Sequence, residues 1–448
     1  MLNWANRFDI CCFFDTNSYT SAHSSYECLL AAGVKRSVKA TAGNAFETLK
    51  AFYTESPDWL FGHLGYDLKN EVEQLTSTHF DGVQFPDLFF FVPEYIILIK
   101  GLEISINSET AITPEDIWKA ICDSEGVNSR NRGVAAHTPR GQLTKVHQSL
   151  PLYSQQLSAR GANPAPGRLS SYPPAIQSRF TKEEYIETVN RLREHILKGD
   201  CYEINFCQEF FAENCVADPV SIYTSLYAVS PNPFAAFYKV EDKYLLCASP
   251  ERYIKKEKEH IISQPIKGTA RRAAEDAITD NHNRNELLHS AKDRSENVMI
   301  VDLVRNDLSK VCEEGSVKVD ELYGIYSFPQ VHQMISTVSG TVRSDVHWAD
   351  ILRATFPMGS MTGAPKMKVM ELIEHYERTK RGLFSGAIGY ITPEGDFDFN
   401  VVIRSILINT TQRYLSYQVG SAITFNSDAQ QEYEECLLKA AAIKKVLF

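Results

Sequence analysis

The sequence predicts an α+β fold, and three observations carry that reading. Strand-like segments such as CYEINFCQEFFA, YLLCASPERYI, HIISQPIKGT and FNVVIRSILI are mixed with helical stretches, but in no regular βαβ series. No G-x-G-x-x-G opens a helix after a strand, which argues against a dinucleotide-binding fold. No internal repeat is found.

Along the chain, residues 1–127 mix strands and helices, with FGHLGYDL and LFFFVPEYIILI as apolar segments. Between Glu125 and Glu183 there is no acidic residue, and the stretch is rich in Gly, Pro, Ser and Arg. Residues 128–175 read as a long loop or disordered linker, with a basic arm touching an acidic partner as the other reading. Order resumes at RFTKEEYIETVNRLREHILKGD. Thr181 and Glu184 make a capping box, Tyr185, Val189, Leu192 and Ile196 recur at helical spacing, and Gly199 closes the helix. The strand-like segments follow, with Glu251 and Lys267 at or near strand ends. NRNELLHSAKDRSENVMIVDLVRNDLSKV is a helical region. Residues 384–425 are mostly strand, and SDAQQEYEECLLKAAAIKKVL is the last helix. Residues 176–448 form the region that carries the chemistry.

Bulk properties exclude some classes. The chain has 448 residues and a net charge of −10, so a general nucleic-acid binder is not expected. An anionic small substrate is not excluded, since a pocket in an acidic protein can be locally positive. No apolar run approaches a membrane span, and the first residues lack the pattern of a secretory signal. A cytoplasmic enzyme is expected. The ten cysteines are scattered with no C-x-x-C pair, which fits reduced thiols and no zinc.

Three groups of charges call for chemistry. Glu296 shares a helix face with Met299, Ile300 and Leu303, and Asp293 sits one turn earlier; a lone carboxylate there is costly unless paired, protonated or metal-bound. Glu432, Glu435 and Lys439 align on the terminal helix, either as a solvated face with an i,i+4 pair or, with Glu296, as ligands of one hard cation such as Mg²⁺. Arg404 interrupts an apolar strand and wants a carboxylate, from the protein or from a substrate. Nearby, Gly420, Ser421 and Ala422 form either a bulge or a small-residue turn whose amides cradle a second carboxylate. Together these suggest a small substrate with two carboxylates.

SPERY, PIKGT, AKDRSENVMIVDLVRNDL, FPMGSMTGAPK, FSGAIGY…FNVVIRS and EYEECLLKA occur in this order from about residue 178 onward. The set resembles the chorismate-utilising enzymes. That resemblance implies a sandwich of two large, orthogonally packed β-sheets with outer helices, and two subdomains about a central cleft. It implies Mg²⁺ held mainly by Glu296 and Glu435, with Asp293 and Glu432 outside them, gripping the ring carboxylate of chorismate. Arg404 would pair with the enolpyruvyl carboxylate. Lys439 and the amides of Gly420, Ser421 and Ala422 would hold the ring end, and Thr269 and Thr362 would line the pocket. Lys267, in PIKGT, matches the branch of the family in which lysine is a covalent nucleophile. Its amine would have to be unprotonated, which requires burial and the nearby cation to lower its pKa. Glu251 matches the general acid and should have a raised pKa. No glutamine amidotransferase motif is present, so ammonia would come from a separate glutaminase subunit or from free ammonium.

Four positions depart from the family pattern. Gln333 stands where some relatives have histidine, with His332 one step earlier. Phe384 replaces tyrosine, Ala422 replaces glycine, and Glu203 stands where relatives have glutamine, or lysine in the branch that activates water.

Overall fold

The computed structural model describes residues 1–19, 23, 25–108, 110, 112–124, 144–147, 176–273 and 275–448. Most of 128–175 therefore lies outside the described residues; Thr144–His147 is the exception and pairs as a strand with Glu103–Ser108.

Two antiparallel sheets dominate. The twelve-stranded sheet runs in the order Gly363–Ala364, Glu203–Ala212, Tyr414–Thr424, Ser405–Asn409, Lys243–Ser249, Phe234–Val240, Ile10–Asp15, Cys28–Ala32, Tyr95–Lys100, Glu103–Ser108 and Thr144–His147, with Gln177–Ser178 beside Glu203–Ala212. The ten-stranded sheet runs Ile266–Arg271, Val331–Thr341, His260–Gln264, Arg252–Glu257, Phe397–Val401, Ala387–Ile391, Leu60–Leu64, Leu88–Val92 and Arg36–Ala40, with Lys318–Ser327 beside Val331–Thr341. In each sheet the strands from before residue 127 form one block that continues the block from after residue 176, the two meeting where Ile10–Asp15 pairs with Phe234–Val240 and where Leu60–Leu64 pairs with Ala387–Ile391.

Strand alternation builds the layers. Along Ile10–Asp15, Phe13 points to the helices outside the twelve-stranded sheet, while Cys12 and Phe14 point between the sheets. Along Leu88–Val92, Leu88, Phe90 and Val92 pack under the outer helices of the other sheet, and Phe89 and Phe91 face inward. The unbroken apolar run LFFFV follows from burial on both faces. Phe384 belongs to this inter-sheet core, 4% exposed.

The helix that begins at Lys182 forms as its sequence dictates. Lys182–Lys198 carries both halves of the Thr181–Glu184 capping box, and Gly199 closes it with φ +85°. The region 277–309 is two helices, Ala277–His289 and Ala291–Ser309, because Ser290 stops the first and caps the second through its hydroxyl on the Asp293 amide. The last helix likewise divides at Ala440.

Three apolar runs that read as single strands each divide in two. YLLCASPERYI leaves the twelve-stranded sheet at Ser249 and enters the other at Arg252. FNVVIRSILI makes the reverse passage, from Phe397–Val401 to Ser405–Asn409. HIISQPIKGT stays in the ten-stranded sheet but breaks at Pro265. The first two passages run side by side, since Lys243–Ser249 pairs with Ser405–Asn409 and Arg252–Glu257 with Phe397–Val401.

Candidate active site

Those two adjacent passages place Glu251 and Arg404. Arg404 is not inside a strand, as its sequence context suggested, but at the crossing, with φ +52°. This left-handed backbone is uncommon for a side-chain-bearing residue and is found where surrounding structure holds it in place. Among the described residues no carboxylate forms an ion pair with its guanidinium. Burial lowers its pKa, opposed by the Glu251 charge.

Glu251 is 4% exposed. Burial raises its pKa to about 7, although Ser360, Lys267, Arg404 and the Ile266 amide all favour the charged form. The raised value expected from the sequence is present, and its cause is desolvation. Ser360 donates to Glu251 Oε1 at 2.6 Å. A small pocket is lined by Glu251, Ser360, Pro265, Asp307 and Thr355; Lys267, Glu296 and Arg404 do not line it.

Lys267 lies on the edge strand of the ten-stranded sheet and reaches the other sheet. Its ammonium forms a 2.7 Å ion pair with Glu203, the first residue of Glu203–Ala212. Gly268, with φ +92°, is needed beside it: a Cβ there would lie 3.0 Å from the Asp293 side chain. Burial lowers the Lys267 pKa, but Glu203, Glu296 and Glu251 outweigh it and the net direction is upward. The protein's own groups therefore do the opposite of what the sequence reading required, because three carboxylates surround the amine.

The four predicted metal carboxylates gather nearby without forming a ready cage: among the described residues no three metal-ligating side chains converge. Burial raises the Glu296 pKa to about 7, and its Oε1 is buried with no hydrogen-bond partner. Lys292 Nζ lies 4.0 Å from Glu296 and 3.6 Å from Glu432, which is 2% exposed. Glu435 pairs with Lys439 at 2.8 Å, and that charge lowers its pKa. Asp293 stands against Gly268. The donor set suits a hard cation that takes few protein carboxylates and completes its shell with water and substrate. An orphaned carboxylate oxygen and an ammonium drawn between two glutamates mark a place that attracts positive charge.

Gly420, Ser421 and Ala422 are neither turn nor bulge. They lie inside Tyr414–Thr424, in unbroken register opposite Cys207, Phe206 and Asn205. The amides of Asn205 and Cys207 point away from this strand, to Thr362 O and Glu377 Oε1. In an antiparallel ladder their partners point outward too. Gly420 and Ala422 thus turn their amides to the edge left open where Ser405–Asn409 has ended, whereas Ser421 faces the ladder. Lys439 Nζ donates to Gly420 O at 2.9 Å, on that open edge.

Two predicted pocket residues make no side-chain hydrogen bond to these charges among the described residues. Thr269 is exposed. Thr362 is fully buried, and its hydroxyl donates to Met358 O at 3.1 Å. Gln333 is 1% exposed with its Oε1 unpartnered.

The family described as chorismate binding enzyme matches residues 11–445. The chain belongs to this family. The match thus takes in strands of both sheets, the N-terminal ones included. The chain is 34% identical over 396 residues to a probable aminodeoxychorismate synthase, chloroplastic, of Oryza sativa subsp. japonica, covering 86% of this chain and 43% of that one. It is 38% identical over 301 residues to aminodeoxychorismate synthase component 1 of Salmonella typhimurium, covering 67% of this chain and 65% of that one. The chain thus spans less than two thirds of the length of each. In fold it matches the crystal structure of anthranilate synthase component I from Streptococcus pneumoniae, with TM-score 0.71 and 23% identity over 95% of each chain.

Two residues at this site were not singled out by the sequence, Ser360 and Lys292. Ser360 gave no signal, being one polar residue between Gly359 and Met361. Lys292 had one, its i,i+4 spacing from Glu296.

Proposed function

We propose that the chain is the chorismate-aminating component of an aminodeoxychorismate synthase, converting chorismate and ammonia to 4-amino-4-deoxychorismate. One observation carries the reading: Lys267 Nζ is held against Glu203 of the other sheet, within the field of Glu251 and Glu296, and not in solvent. The names of the rice and Salmonella relatives support it.

In this reading Lys267, once neutral, attacks the ring as the 4-hydroxyl leaves. Glu251 protonates that hydroxyl, which its pKa of about 7 suits at neutral pH. Ammonia then displaces the lysine and arrives at C4. Arg404 grips the enolpyruvyl carboxylate, while the Gly420 and Ala422 amides and Lys439 orient the ring end. Glu296 and Glu435 would hold Mg²⁺, with Glu432 and Asp293 beside them. When bound, the ion would supply electrostatic grip on the ring carboxylate. Ammonia comes from a separate glutamine amidotransferase subunit, in keeping with the word component in the Salmonella name. No helix among the described residues is long and apolar enough to cross a membrane.

Product analysis with chorismate, Mg²⁺ and ammonium tests this. 4-Amino-4-deoxychorismate is expected from the wild type and is lost in Lys267→Ala. Anthranilate as the main product would favour the activity named for the Streptococcus neighbour. No consumption of chorismate would favour a non-catalytic homologue.

A further inference from the structure

The nucleophile assigned above has to lose a proton before it acts, yet the groups around it favour the ammonium. Glu203 is the sole ion-pair partner of Lys267 among the described residues, at 2.7 Å. Glu203 is 1% exposed, and its Oε2 is buried with no hydrogen-bond partner. The other charges facing Nζ are Glu251 at the sheet crossing, Glu296 on the helix Ala291–Ser309 and Glu435 on Ala429–Lys439. Asp293 stands across Gly268, Lys292 lies by Glu296, and Arg404 lies behind Glu251. These act at a distance. Of all of them, only Glu203 already shares a hydrogen bond with the amine, so a proton can pass along it without leaving the site. A buried amine and carboxylate can exist as an ion pair or as a neutral pair, and a low dielectric narrows the gap between the two.

We propose that Glu203 is a catalytic base: it takes the proton of Lys267, holds it while the lysine is bonded to the ring, and returns it on release. The inference rests on the reading of Lys267 as nucleophile. The ammonium passes one proton to Glu203, leaving a neutral amine and a carboxylic acid. The amine's lone pair forms the N–C bond, the C4–O bond breaks, and the oxygen leaves as water with the proton of Glu251. The lysine is then a secondary ammonium on the ring. Ammonia forms its own N–C bond at C4, and the electrons of the lysine–carbon bond return to Nζ. The product carries a protonated amine, Lys267 recovers its proton from Glu203, and Glu251 recovers one from solvent. The sum is chorismate plus ammonium giving the aminated product plus water.

Glutamine, which the resemblance places here in relatives, accepts a hydrogen bond but not a proton. The glutamate thus gives this chain its own pH dependence.

The test compares wild type, Glu203→Gln and Glu203→Asp in two measurements. In ammonia-dependent amination across pH, Glu203→Gln is expected to lose about tenfold or more at neutral pH. Its deficit should close as pH rises and solvent takes the proton instead, with the KM for chorismate little changed. Glu203→Asp keeps a carboxylate and should keep the wild-type profile shape at a lower rate. In the second measurement, acetylation of Lys267 by acetic anhydride is followed across pH by peptide mass spectrometry, without substrate. Loss of the carboxylate should move its midpoint down by about one pH unit or more. A Glu203→Gln enzyme that aminates at neutral pH as fast as wild type, an Asp variant whose profile follows that of the Gln variant, or an unmoved acetylation midpoint overturns the proposal. If the wild type forms no C4 amine, the functional reading falls and the catalytic step with it; any of the preceding results in an active wild type removes Glu203 alone.

Discussion

Ser360 donates its hydroxyl to Glu251 Oε1 at 2.6 Å, inside a region where Glu251 is 4% exposed. The bond favours the carboxylate, yet burial still raises the pKa to about 7. Ser360 therefore sets how far the acid is raised.

Ser360→Ala removes a donor to the charged form, so the Glu251 carboxyl should rise further. A hydrogen bond to a charged group is worth about 1.5 kcal/mol or more, or about one pH unit. A general acid works protonated, so the rate falls as pH climbs through its pKa. The variant's alkaline limb in kcat/KM should thus move up by about one unit; a limb that stays put or moves down would separate Ser360 from the acid.

Among the described residues no carboxylate forms an ion pair with Arg404, so its partner should arrive with the substrate. Chorismate is expected to raise the melting temperature of the wild type and to do so far less for Arg404→Gln. The KM for chorismate in that variant should rise about tenfold or more, from loss of a charge-assisted pair. Arg404→Lys should recover part of the affinity, lacking the planar fork. Equal thermal shifts in all three proteins would place Arg404 outside the binding site.

How much of this was readable follows from whether each signal is local. Thr181, Glu184 and Gly199 fixed a helix to the residue, because caps and closing glycines act within one turn. The carboxylates of Asp293 and Glu296 were placed on one face by spacing alone. The passages at Glu251 and Arg404 were not readable as such, since apolar residues continue through them. Pro250 gave a hint for the first; Arg404 has neither Pro nor Gly beside it. Gly420 to Ala422 looked like a turn because small residues serve turns and close strand packing alike. A Cβ at Gly420 would lie 2.2 Å from Phe206 O, so close approach is the reason for that glycine. The pairing of Lys267 with Glu203 joins the two sheets from positions 64 apart, and no local pattern encodes it.

Lys292 stands between Glu296 and Glu432, so it should oppose a divalent cation there. Lys292→Met is expected to tighten Mg²⁺ binding, whereas Glu296→Gln and Glu435→Gln should weaken it by about tenfold or more. Calorimetric titration without substrate or with chorismate reads all three. Unchanged Mg²⁺ isotherms in both glutamine variants would remove those ligands.

Glu251 also makes stability depend on pH. Its folded pKa of about 7 lies above the ordinary 4.5, so the folded chain binds this proton more tightly than the unfolded chain. Where the folded state holds the extra proton, stability falls as pH rises. The contribution is fully present below about pH 4.5 and is lost through about pH 7. A rise of that size corresponds to about 3 kcal/mol. Glu296 adds a loss of the same sign, so the measurement has to be a difference. Urea unfolding of wild type and Glu251→Gln at pH 5 and pH 8 supplies it. The variant, with no buried carboxylate to ionise at this position, should lose less stability between the two pH values than the wild type. Equal losses would mean that Glu251 ionises at the same pH in the folded and unfolded chain, and a general acid kept protonated by burial would no longer be available at this site.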